Sequence, residues 1–220
     1  MKKILVCSNN DFFRKKIKKK NYFFLKNEKN LNLEFLKRIK PDIIFFPHWN
    51  YIIKKEILKN YLCIGFHSTP LPYGRGGSPI HNMVLRNFTK TKLCSLKLNE
   101  KVDSGPIYLK KNISLIGNGE KIFLNIYKSI LTMMRKIEKK IPKPKKQIGK
   151  PKYFKRLKLK QNNLLKYNNI NEIYNLIRIL DIKFLNYPKA FIKNKNIIFN
   201  FKEAKIKKNK IEAKVEISRK

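Results

Sequence analysis

The chain has 220 residues, 42% of them hydrophobic and 12% aromatic, enough for one fair-sized domain with a small appendage around a buried core. No run reaches the roughly 18 uninterrupted apolar residues of a membrane span, and the opening MKKILVCSNND turns polar too soon for a secretory signal, so a cytoplasmic protein is expected. The formal net charge of +39, from 53 Lys and Arg against 14 Asp and Glu, would ordinarily point to nucleic acid, but lysine is spread along the whole chain with abundant Ile and Asn, the footprint of AT-rich coding rather than of one binding surface.

The first element is the apolar run ILVC, read as a strand, and Ser8, Asn9, Asn10 and Asp11 after it are suited to capping a helix. Residues 22–25 form a second strand candidate. Leu33, Leu36 and Ile39 recur at helical spacing until Pro41 stops the helix. Residues 42–47, DIIFFP, are the continuous apolar run of a strand buried on both faces of a parallel sheet. A brief helix at 54–60 and a further buried strand at 61–67 follow. Beyond a loop come a helix at 80–86, strands at 92–98 and 106–112, and a long helix at 120–140 with Ile122, Ile126, Ile130, Met133 and Ile137 on one face. Residues 135–160 concentrate positive charge around a single acid, Glu138, and their prolines forbid a continuous helix, which predicts an extended, solvated linker. A helix at 171–180 and strands at 190–192, 197–201 and 211–217 close the chain, with Arg178 and Asp181 spaced to pair.

Strand and helix alternate as in an α/β fold with an open, mostly parallel, Rossmann-like sheet, whose ligands bind outside the carboxyl ends of the strands. The organisation expected is a catalytic domain at 1–140, a basic Pro/Lys-rich linker at 141–160 and a small C-terminal α+β module at 161–220. Cys7, Cys63 and Cys94 are odd in number and set in apolar runs, so they suggest neither a disulfide framework nor a metal site.

The run GFHSTPLPYGRGG, residues 65–77, holds four of the chain's eight glycines and one of its three histidines. Such a loop has little freedom to lose and brings backbone groups close to a flat ligand, with His67 at the end of a strand that opens on the cleft. Asp103, one of only four aspartates, follows 36 positions later in VDSGPI. A carboxylate beside an imidazole fixes its tautomer and stabilises its charged form, which acyl transfer through a tetrahedral intermediate requires.

FHSTPLPYGRGGSPI with VDSGPI downstream, on this order of strands and helices, resembles the folate-dependent formyltransferases. The resemblance covers residues 41–140. It implies an enzyme that takes 10-formyltetrahydrofolate as formyl donor, with the pterin held near Phe46, Pro47 and Trp49, with Arg75 and Gly76 in the binding loop, and with His67 and Asp103 as the catalytic pair. It also implies an Asn two residues before the histidine, where this chain has Gly65; Asn50, Ser68, Thr69 and Asn82 are the nearby groups able to substitute. The front of the chain is shorter than the family's, and the tail looks like the short module beside sugar-amine formyltransferases. That favours a small-molecule amine acceptor on a nucleotide-linked amino sugar, with methionyl-tRNA, its phosphates met by the basic linker, as the alternative. A non-catalytic nucleic-acid-binding relative is the remaining reading.

Overall fold

The computed structural model describes residues 1–185 and 187–219. In chain order the strands and α-helices are β1 (Ile4–Cys7), α1 (Phe12–Lys16), β2 (Tyr22–Leu25), α2 (Leu33–Ile39), β3 (Ile43–Phe46), α3 (Lys55–Asn60), β4 (Cys63–His67), β5 (Tyr73–Gly76), α4 (Pro79–Leu85), β6 (Lys90–Lys97), β7 (Ile107–Ser114), α5 (Gly119–Lys139), β8 (Lys152–Phe154), α6 (Ile170–Leu180), β9 (Ala190–Asn194), β10 (Ile197–Lys207) and β11 (Lys210–Arg219).

The main sheet runs in the order β2-β1-β3-β4-β6-β7. Strands β1 to β4 are parallel neighbours, and β6 runs antiparallel to β4 with His67 opposite Cys94. This is the mostly parallel sheet expected. Every residue of β1 and β3 is buried, because helices cover both faces and leave no place for polar alternation. Local chemistry agrees: the Asn32 side chain caps α2 by accepting from Phe35 N at 2.8 Å, and Lys40 ends it in the left-handed region at φ 52° ahead of Pro41. The stripe Ile122, Ile126, Ile130, Met133 and Ile137 of α5 is buried throughout.

The chain divides into two compact units. The first comprises Met1–Arg75, Lys92–Lys111 and Ile126–Tyr153. Its core joins Leu5, Leu36, Ile44, Phe46, Ile57 and Cys63. Glu138 of α5 anchors the opposite end, accepting from Lys19 Nζ at 2.9 Å, Tyr22 OH at 2.8 Å and Asn21 Nδ2 at 3.2 Å. Residues 141–150 are largely exposed and extended, as the prolines predict, but they are not a free tether. Lys145 bridges to Ile107 through backbone bonds of 2.7 and 2.9 Å.

The second unit comprises Gly76–Thr91, Asn112–Asn125 and the chain from Phe154 onward. Here α6 buries Leu176, Ile177, Ile179 and Leu180, and the antiparallel sheet β11-β10-β9 pairs Phe199 with Ile217 and Phe201 with Val215. The expected Arg178–Asp181 pair does not form. Arg178 instead donates to the carbonyls of Leu115 and Gly117 at 2.9 and 2.6 Å, while Asp181 accepts from the backbone N–H of Glu203 at 2.9 Å. Backbone carbonyls and amides left over at element ends are the stronger claimants, since burying them unpaired is costly.

Candidate active site

His67 is the last residue of β4 and is buried. Its Nε2 lies 2.7 Å from the carbonyl oxygen of Gly74, and its Nδ1 lies 3.3 Å from Oδ2 of Asp103 in the loop between β6 and β7. The structure therefore brings together the two groups that the sequence singled out. A carbonyl oxygen only accepts, so Nε2 carries a hydrogen. Nδ1 faces a carboxylate oxygen, so the contact is attractive only when a second proton lies between ring and carboxylate. The pair is thus built to hold an imidazolium against a carboxylate, or a neutral ring against a carboxylic acid.

The glycine-rich loop earns its composition. Gly74 turns at φ 78°, outside the comfortable range of residues with a Cβ, and presents its carbonyl both to His67 and to Thr69 Oγ1, which donates at 3.2 Å. Thr69 is itself buried, and its carbonyl accepts from Cys94 Sγ at 3.3 Å. Two donors on one carbonyl close the loop over His67 and set the ring plane. Asp103 sits at φ 51°, an uncommon conformation for a residue other than glycine, of which Asp and Asn are the most tolerant.

Phe46 and Pro47 are buried at the end of β3, and Trp49 follows, its ring 5.9 Å from Phe46 and 5.2 Å from Tyr51. Register pairs Phe46 with Gly65, so this loop follows the carboxyl end of β3 and His67 stands at the carboxyl end of its parallel neighbour β4. The loop after β3 is tied to the loop after β1: Asn50 N donates to Asn9 Oδ1 at 3.1 Å and Asn9 N to the His48 carbonyl at 3.4 Å. Trp49 Nε1 is a buried donor with no hydrogen-bond partner among the described residues.

Arg75 is buried and turned toward its own unit. Its Nη2 and Nε donate to Gln147 Oε1 at 2.7 and 3.2 Å, and Nη1 donates to Tyr153 OH at 3.3 Å. Gly76, the first residue of the second unit, has φ 99°, and a Cβ there would come within 2.6 Å of the Phe154 carbonyl oxygen. Gly65, by contrast, is not in a positive-φ conformation; a Cβ on it would meet Leu98 Cδ2 at 2.5 Å. Leu98 therefore occupies the space into which a side chain at 65 would grow. Of the substitutes considered for an Asn there, Thr69 is spent on Gly74, and the Asn82 amide donates to the carbonyls of Gly77, Ser78 and Lys155. Sequence reasoning missed Gln147. It lies in the stretch read as solvated linker, and the only signal was its rarity, one of two glutamines in the chain.

Comparison with known proteins gives three results. The family model described as "Methionyl-tRNA formyltransferase, C-terminal domain" matches residues 159–218. The structure of a methionyl-tRNA formyltransferase from Clostridium thermocellum is 37% identical, covers 100% of both chains and superposes with a TM-score of 0.90. Among curated relatives, the methionyl-tRNA formyltransferase of Campylobacter lari is 30% identical over 77% of this chain and 55% of its own length, and that of Sulfurihydrogenibium sp. is 26% identical over 83% and 60%. The chain thus spans little more than half the length of these curated relatives. A 4-N formyltransferase from Francisella tularensis shares the fold at a TM-score of 0.67 with 16% identity, over 88% of this chain and 93% of its own. The tail read from the sequence as a module of the sugar-amine kind is the stretch that this family model matches.

Proposed function

The chain belongs to the folate-dependent formyltransferase family, and from that premise we propose that it moves a formyl group from 10-formyltetrahydrofolate to the amine of methionyl-tRNA. The observation that carries the transfer chemistry is the pairing of buried His67 with half-buried Asp103. The acceptor is favoured by the full-length match at 37% identity to a methionyl-tRNA formyltransferase and by the match of residues 159–218 to that family's C-terminal domain. The amino-sugar acceptor rested on the tail and loses that support.

The residues present fit the donor. A buried Trp49 N–H without a partner among the described residues, set beside Phe46 and Pro47, suits a flat heteroaromatic ring that bears acceptor atoms. 10-formyltetrahydrofolate would supply the electrophilic formyl carbon. Transfer would form one bond, from the acceptor nitrogen to that carbon, and break the bond from that carbon to the folate nitrogen, which would take up the proton that the amine loses by way of Asp103. His67, held as a hydrogen-bond donor, stabilises negative charge developing on the formyl oxygen by shifting its N–H from the Gly74 carbonyl to that oxygen. Asp103 keeps the ring oriented, and its carboxylate accepts the proton that the attacking amine gives up. Neither act needs a side chain at position 65.

The test is an acceptor panel: the protein with 10-formyltetrahydrofolate and, in parallel, methionyl-tRNA or nucleotide-linked 3-amino and 4-amino sugars. Formyl on methionine bears the proposal out. Formyl on a sugar amine alone would restore the other acceptor.

A further inference from the structure

We infer that Gln147 is the positioning residue that sets Asp103 against His67; its meaning for catalysis rests on the transfer reading above, but the geometry stands by itself. Gln147 Nε2 donates to the carbonyl oxygens of both Asp103 and Gly105 at 2.8 Å. One amide nitrogen has two hydrogens, and each is matched to one carbonyl of the loop. This fixes the Asp103–Ser104 and Gly105–Pro106 peptide planes, and with the first of them the direction in which the Asp103 side chain leaves the backbone. Asp103 needs such support because it sits at φ 51°.

The other end of Gln147 is held as firmly. Its Oε1 accepts from Nε and Nη2 of Arg75, and since an arginine only donates, the oxygen of the amide must face Arg75 and the nitrogen the loop. Arg75 is buried and lies over the ring of Tyr153, 6.0 Å from its centroid. A chain of contacts therefore runs from Tyr153 through Arg75 and Gln147 to the Asp103 loop and ends on His67. The extended stretch 141–150 reaches the Asp103 loop through this side chain. Its role is to choose the direction of a carboxylate, and it touches no reacting atom.

A merely structural Gln147 would pin residues 141–150 to Arg75 and nothing more. Gln147→Glu separates the two roles, because it keeps an oxygen for Arg75 while replacing the two donors with an acceptor that repels the Asp103 and Gly105 carbonyls. The experiment records the ¹⁵N resonances of the His67 ring, assigned with His67→Ala, in the wild type, Asp103→Asn, Gln147→Ala and Gln147→Glu, together with kcat and KM for formyl transfer. The expected result is that both Gln147 variants move the Nδ1 resonance in the sense that Asp103→Asn moves it, and that kcat falls on the order of 10²-fold with KM unchanged. A Gln147→Glu protein whose His67 resonances match the wild type would overturn the assignment. Shifted resonances in a wild-type background that transfers no formyl group would leave Gln147 in place and sink the transfer reading instead.

Discussion

Gly105 lies two residues past Asp103, and a Cβ there would overlap the carbonyl oxygen of Lys97, a backbone atom that cannot step aside. Gly105→Ala is therefore expected to cost on the order of 3 kcal/mol, read as a fall in the urea midpoint, and to disturb the Asp103 loop. Gly65 presents the opposite case, for its wall is the end of a flexible Leu98 side chain, 2.5 Å from the added Cβ. Gly65→Asn alone should destabilise by about 1 to 3 kcal/mol, and Leu98→Ala in the same molecule should recover part of that loss; additive effects in the double-mutant cycle would show that the two positions do not share the space. Burial pushes the Cys63 thiol up to about 12 and raises those of Cys7 and Cys94, so all three are protonated at neutral pH and closed to reagents in the folded state. What the sequence made legible at this scale were rare residues in crowded loops: one of three histidines and one of four aspartates. Gln147 stayed hidden because its partners are backbone carbonyls 42 and 44 positions away and an arginine 72 positions away, and no local pattern encodes such a meeting.

Elements were legible wherever burial imposes a pattern. The runs ILVC and IIFF read as strands covered on both faces, and the stripe along α5 reads as a helix with one buried side. The short ladder β5-β8 was missed because its residues, YGRG and KYF, carry glycine and charge where a strand would show an apolar pattern. Its pairing is fixed by the loop that closes on His67, which is information of tertiary origin. Among the contacts that hold α5, Glu138 makes a prediction. Burial raises its carboxyl, but the hydrogen bonds from Lys19, Tyr22 and Asn21 together outweigh that and hold it below the usual carboxylate range. A depressed folded value means that the stability it lends is present above the unfolded carboxylate value, about 4.3, and drains away as pH falls through the folded one. Glu138→Gln should unfold at lower urea than the wild type at pH 7, by about 1 to 2 kcal/mol, and the gap should close below about pH 4. A gap that is constant with pH would assign the contact no charge-dependent role.

At the scale of the whole molecule, the net charge of +39 was set aside in the sequence as a matter of composition, and the proposed acceptor gives it a use. A polyanionic substrate bound by a surface this basic should respond steeply to salt. Contacts to six or more phosphates would weaken methionyl-tRNA binding by roughly 10³-fold or more between 50 and 200 mM salt, with kcat little changed. A KM that ignores salt would count against an RNA acceptor. The tail resisted reading because one helix and a few strands in sixty-odd residues fit several small modules equally well, and likeness to known proteins separates them.

The central claim is that the His67–Asp103 pair drives formyl transfer, and the most direct measurement is turnover of methionyl-tRNA with 10-formyltetrahydrofolate by the wild type, His67→Ala and Asp103→Ala. The account predicts formylmethionyl-tRNA from the wild type and a loss of at least about 10²-fold in each variant, in protein that remains folded. Undiminished transfer by both variants, or none by a folded wild type, would contradict it.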